Sequence, residues 1–73
     1  MSPPPWQRYV RTLCTDAWDF EEVETTSLLA ELERLIRARR VTDGAVVEVL
    51  VAAGVSETSA LMIAPSIRVS ILS

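Results

Sequence analysis

Leu28, Leu32 and Leu35 recur four and three apart, with Leu29 and Ile36 beside them. That spacing draws a wide apolar stripe of the kind a globular helix buries. It predicts a helix over residues 27–40, with Ala, Leu, Glu and Arg, all good helix formers, in most positions. Glu33 and Arg37, four apart with the acid first, and Glu31 and Arg34, three apart, support it. Arg37, Arg39 and Arg40 fall at its carbonyl end, where the helix dipole favours cations. Arg39 also continues the leucine line, which places it near the buried edge and makes the cluster a candidate site for an anionic partner.

Trp6, Val10, Leu13 and Ala17 step by four, three and four, and Tyr9, Cys14 and Trp18 widen the same face. A helix over 5–18 follows, introduced by a proline-rich lead at 1–5 in which Ser2 can cap. Three consecutive prolines also suit a short extended arm. Asp19-Phe20-Glu21-Glu22 matches a capping box. Phe20 and Val23, however, fall on the side opposite Leu28, Leu32 and Ile36. Thr25-Thr26-Ser27 prefers caps to helix interiors. These features predict a short turn at 20–24, a bend, and only then the main helix.

Thr42 is placed to cap a further helix at 43–53, with Val41 and Val46 as a hydrophobic staple and Gly54 as its terminating glycine. This helix is apolar nearly all round except Glu48 and is expected to be central. Its valines also suit a buried strand. Ser56 caps a fourth helix to about residue 64, where Pro65 breaks or kinks it. Ala60, Ile63, Ile67 and Ile71 continue a helical stripe past that proline, while Ile67, Val69 and Ile71 alternate as a strand does. The expected fold is all-α, one domain at 6–73 built as a small bundle of four to five short helices. The alternative is α+β, a helix pair followed by a two-stranded β unit over 44–52 and 66–72.

Length and charge change the picture in one respect. A chain of 73 residues has little volume for a core. Thirteen of its seventeen charges lie in the first forty residues, leaving Asp43, Glu48, Glu57 and Arg68 for the rest. A second half this apolar leaves hydrocarbon at the surface, and such surface tends to mark an interface. Every basic residue is arginine, a bias that suggests a GC-rich genome and says nothing about function. The net charge of −3 disfavours nucleic acid. The opening MSPPPW has no basic and apolar signal segment, and no apolar run reaches about 18 residues. A cytoplasmic protein with a reduced Cys14 is the expectation.

The inventory for chemistry is short. There is no histidine, a single cysteine and only two glycines, which argues against zinc, a phosphate loop or a nucleophile–base pair. Cys14 reads as a core residue and lacks a histidine to activate it. Asp16, Asp19, Glu21, Glu22 and Glu24 lack the spacing and turn glycine of a calcium loop and read as solvated helix-start carboxylates. Residues 46–63 can form a helix-turn-helix. Its second helix offers Glu57, Thr58, Ser59, Leu61 and Met62 and no arginine, lysine, asparagine or glutamine for base edges or phosphates.

Residues 33–51, ERLIRARRVTDGAVVEVLV, resemble the helix-to-strand segment of gas vesicle shell proteins. That likeness implies a self-assembling shell protein. The chain departs from it in having an N-terminal helix and no second amphipathic helix at its end.

The residues together point to a non-catalytic protein–protein interaction module: an adaptor, an oligomerisation domain or a small inhibitor docking on a larger complex. It is expected to bind another protein or itself as a homo- or hetero-oligomer. No cofactor, metal, nucleic acid, membrane or small-molecule substrate is expected. Arg37, Arg39, Arg40, Val69, Ile71 and Leu72 are the candidate partner-binding residues. A self-assembling shell protein and a helix-turn-helix regulator are the alternatives.

Overall fold

The computed structural model describes residues 2–73. They form four α-helices: α1 (Pro5–Asp16), α2 (Glu22–Arg37), α3 (Asp43–Ala52) and α4 (Glu57–Leu72). Each helix packs against the next, and α4 returns to α1, so the four close a ring; α3 and α4 form the most extensive pair. The all-helical bundle expected from the periodicity is the fold. The α+β alternative is overturned, because 44–52 and 66–72 are both helical and no strand occurs among the described residues. The likeness of 33–51 to a helix-to-strand segment fails with it.

The β-branched α3 is a helix because both of its ends are fixed. The Ala45 amide donates to Thr42 Oγ1 at 3.1 Å. At the other end the Val55 amide donates to the Leu50 carbonyl at 3.0 Å and the Gly54 amide to that of Val51 at 3.0 Å. Gly54 takes φ 108°, a value that side chains disfavour. Only Val46 and Leu50, four apart, are fully buried from this helix. Val47 and Val49 are half-buried and Val51 is exposed, so α3 is less central than its composition suggests.

α2 begins earlier than the periodicity predicts and runs without a bend. Glu21 and Glu24 form a reciprocal cap, with the Glu21 amide donating to Glu24 Oε1 at 3.0 Å. The capping box thus sits two residues beyond the Asp19–Glu22 pair. Asp19 instead takes a left-handed φ of 51° in the α1–α2 turn. Val23 does face away from the leucine stripe, and it stands in water at 79% exposure. Thr25 is buried opposite Cys14, so the polar Thr-Thr-Ser run is accommodated inside the helix.

α4 is one helix through Pro65. The proline removes the amide that would reach the Leu61 carbonyl. It lies on the exposed side, where water can serve as the missing donor. α1 starts at Pro5 after an extended Pro4, which makes no side-chain cap, so Ser2 does not fill that role and Pro5 belongs to the helix rather than the lead. Met1 lies outside the described residues.

The core is built from one short stripe per helix: Trp6, Val10 and Cys14; Leu28, Leu29 and Leu32; Val46 and Leu50; Ala60, Ala64 and Ile67; with Val55 from the α3–α4 turn. The two alanines of α4 leave room for close packing against its neighbours. Surface ion pairs tie the ring. Arg11 of α1 meets Glu22 of α2 at 3.1 Å, and Arg68 of α4 meets Asp43 at the start of α3.

Candidate interaction surface

The arginines at the end of α2 are set by how that helix stops. Ala38 is its last partly helical residue, and Arg39 follows with φ 55°. The Arg40 amide donates to the Leu35 carbonyl at 2.9 Å and the Arg39 amide to that of Ile36 at 3.1 Å. This is the closing pattern in which glycine usually holds the left-handed position. Here an arginine holds it. The helix therefore ends at Arg37, and Arg39 does not continue the leucine line; it is exposed in the loop, not at the buried edge.

Of the six residues singled out by sequence, the structure brings together three. Arg39, Ile71 and Leu72 line a cleft of about 260 Å³ with Ile36 and Val41, between the ends of α2 and α4. Arg40 lies on its other side, lining a second depression with Arg39, Thr42, Gly44, Ala45 and Glu48. Arg37 lines neither and pairs weakly with Glu33 at 3.7 Å. Val69 and Ile71 point to different sides of α4. Ile71 is half-buried against the core, whereas Val69 is 56% exposed. An acidic side chain there, as in Ile71→Asp, is therefore expected to destabilise the core itself.

Sequence reasoning missed the larger feature. Leu61, Met62, Val69 and Leu72 are all more than half exposed, and all stand on the outer side of α4 with Pro65. Thr58, Met62, Pro65, Val69 and Leu72 step by four, three, four and three. That repeat is the seam by which one helix pairs with another. The spacing is present in the sequence, but the inner stripe of Ala60, Ile63, Ile67 and Ile71 runs beside it and masks it. No charge interrupts the seam. The only charged residues of α4, Glu57 and Arg68, flank it on one side, and Ser59, Ser66 and Ser70 lie on the other.

The seam widens toward α1. Met62 and Ile63 of α4, with Leu13, Ala17 and Trp18 of the α1 end, line a mostly apolar groove of about 210 Å³. Trp18 is half-buried there and stacks obliquely on Phe20, ring centres 5.7 Å apart. A partly exposed tryptophan beside an apolar groove is the sort of anchor on which binding energy concentrates. By contrast, the outer side of α2 carries Ser27, Ala30, Glu31, Arg34 and Arg37 and is polar.

Cys14 is enclosed completely. Burial pushes its thiol above the usual value, with a bond to Thr25 and the Arg11 charge acting the other way. A thiol held protonated and out of reach is a poor nucleophile. Among the described residues no three His, Cys, Asp or Glu side chains converge, and no helix is long and apolar enough to cross a membrane. No protein-family model, curated protein or solved structure matches this chain.

Proposed function

We propose that the chain is a non-catalytic protein–protein interaction module that binds another polypeptide, or itself, through the outer side of α4. One observation carries this reading: four of the six large exposed apolar residues among the described residues, Leu61, Met62, Val69 and Leu72, share that side of one helix. Scattered single hydrophobes are normal on a surface; a continuous stripe is not. The groove with Trp18 extends the surface, and Arg39 at its far end adds an anion-friendly margin beside Leu72.

Immobilised protein, compared with its Met62→Glu/Val69→Glu double variant, tests it. Both positions are well exposed, so both forms should give the same far-UV circular dichroism, and the same melting curve at dilutions where neither self-associates. The unaltered chain is expected to retain a specific polypeptide that the double variant loses. Equal retention by the two forms removes α4 as the binding surface. Arg39→Glu is expected to weaken retention only slightly, since the loop arginine borders the stripe rather than forming it.

A further inference from the structure

We infer that the occupant of the α4 seam is a second copy of this chain, lying antiparallel across a two-fold axis near Pro65. The inference deepens the interaction reading and rests on it. The repeat Thr58, Met62, Pro65, Val69, Leu72 is centred on Pro65, with Thr58 and Leu72 seven positions away on either side. An antiparallel pair therefore sets Thr58 of one copy against Leu72 of the other, and the middle of the seam against itself. A surface that meets its own copy must be self-complementary. This one is, because it is uncharged throughout: although each chain carries a net −3, α4 itself is neutral, with Glu57 and Arg68 cancelling and both lying beside the seam rather than on it.

The direction follows from the ends. A parallel pair places Glu57 beside Glu57 and aligns the two helix dipoles; an antiparallel pair sends both glutamates to opposite ends and opposes the dipoles. Arg68, beside the seam, is already paired with Asp43 of its own chain and needs no partner across the axis.

The area is at the margin: full cover of the exposed parts of Leu61, Met62, Val69 and Leu72, 58%, 77%, 56% and 61% of these residues, with Pro65 between them, brings a two-fold pair at most to about 1,000 Å², the lower limit for a specific interface. Contact of that size gives a reversible dimer rather than an obligate one.

Sedimentation equilibrium on the full chain, from about 5 to about 500 µM, is the test. The mass is expected to rise from 8.1 kDa toward twice that value. Met62→Glu/Val69→Glu, folded by circular dichroism, is expected to stay at 8.1 kDa throughout. Because the seam is uncharged, raising salt from about 0.05 to about 0.5 M should not dissociate the dimer. Under mild oxidation Pro65→Cys is expected to cross-link to itself and Thr58→Cys is not, with buried Cys14 silent in both. A monomer at every concentration overturns the inference, as does a dimer that survives the double variant. So does a dimer that dissolves in salt, which would move the contact to Arg39 and Arg40. Self-linking at Thr58→Cys in place of Pro65→Cys overturns the antiparallel arrangement. If the chain is monomeric and yet captures a foreign polypeptide that the double variant releases, the self-pairing fails and the interaction module stands.

Discussion

At the scale of single residues, backbone conformation decides more than side-chain chemistry. Gly54 and Arg39 hold equivalent positions after α3 and α2, one suited to a positive φ and one not. Gly54→Ala, although no atom obstructs the new Cβ, is expected to destabilise the fold by about 1–2 kcal/mol through backbone strain alone. Arg39→Gly should act in the opposite sense, raising stability by about 0.5–1 kcal/mol. Urea titration of both variants checks the pair; a neutral Gly54→Ala would contradict the strain. Cys14 gives the chain a pH signature. Its folded thiol stays protonated above the ordinary thiol value of about 8.5, where the unfolded chain ionises. The contribution of Cys14 is therefore constant below about pH 8 and is lost as pH rises through the ordinary thiol range. Cys14→Ala is expected to lower stability overall and to flatten that slope above about pH 8.

At the scale of elements, the chain is legible wherever capping signals and periodicity agree. Thr42, Gly54 and Ser56 bracket α3 and open α4, and the structure uses all three. Thr42→Ala is accordingly expected to cost about 1 kcal/mol in the same titration. Legibility fails where the end signal is absent or tertiary packing overrides propensity. Arg39 terminates α2 without the glycine that announces such a stop, so the leucine line extrapolates three residues too far. Thr25 looks like a cap and is a buried interior residue, because its hydroxyl finds a partner in the Cys14 thiol. Pro65 looks like a break and is not one, because the carbonyl it orphans lies on the wet side of α4.

At the scale of the molecule, the uneven charge distribution is what survives from sequence to structure. Charges crowd α1 and α2, whereas α4 turns an unbroken apolar strip outward. The apolar surplus of the second half is visible in composition; its location is not. Val69 and Leu72 lie on the strip, Ile71 lies beneath it, and only the helix through Pro65 shows that Leu61 and Met62 belong to the same strip. An α4 that pairs through this strip makes the dimer depend on Met62 and Val69 and leaves the monomer fold indifferent to them. Val23, the most exposed large apolar residue outside α4 among the described residues, sits alone among Glu21, Glu22 and Glu24. Val23→Ser is expected to change neither stability, beyond about 0.5 kcal/mol, nor association; a loss of association would relocate the contact to the acidic turn.

The most direct measurement is a dilution series followed by amide resonances of the isotopically labelled chain. Pairing through α4 predicts concentration-dependent shifts at Leu61, Met62, Val69 and Leu72 and at the Trp18 indole, with Ala30, Glu31 and Arg34 on the outer side of α2 unmoved. Shifts centred on α2, or a spectrum that does not change from high to low concentration, would contradict it.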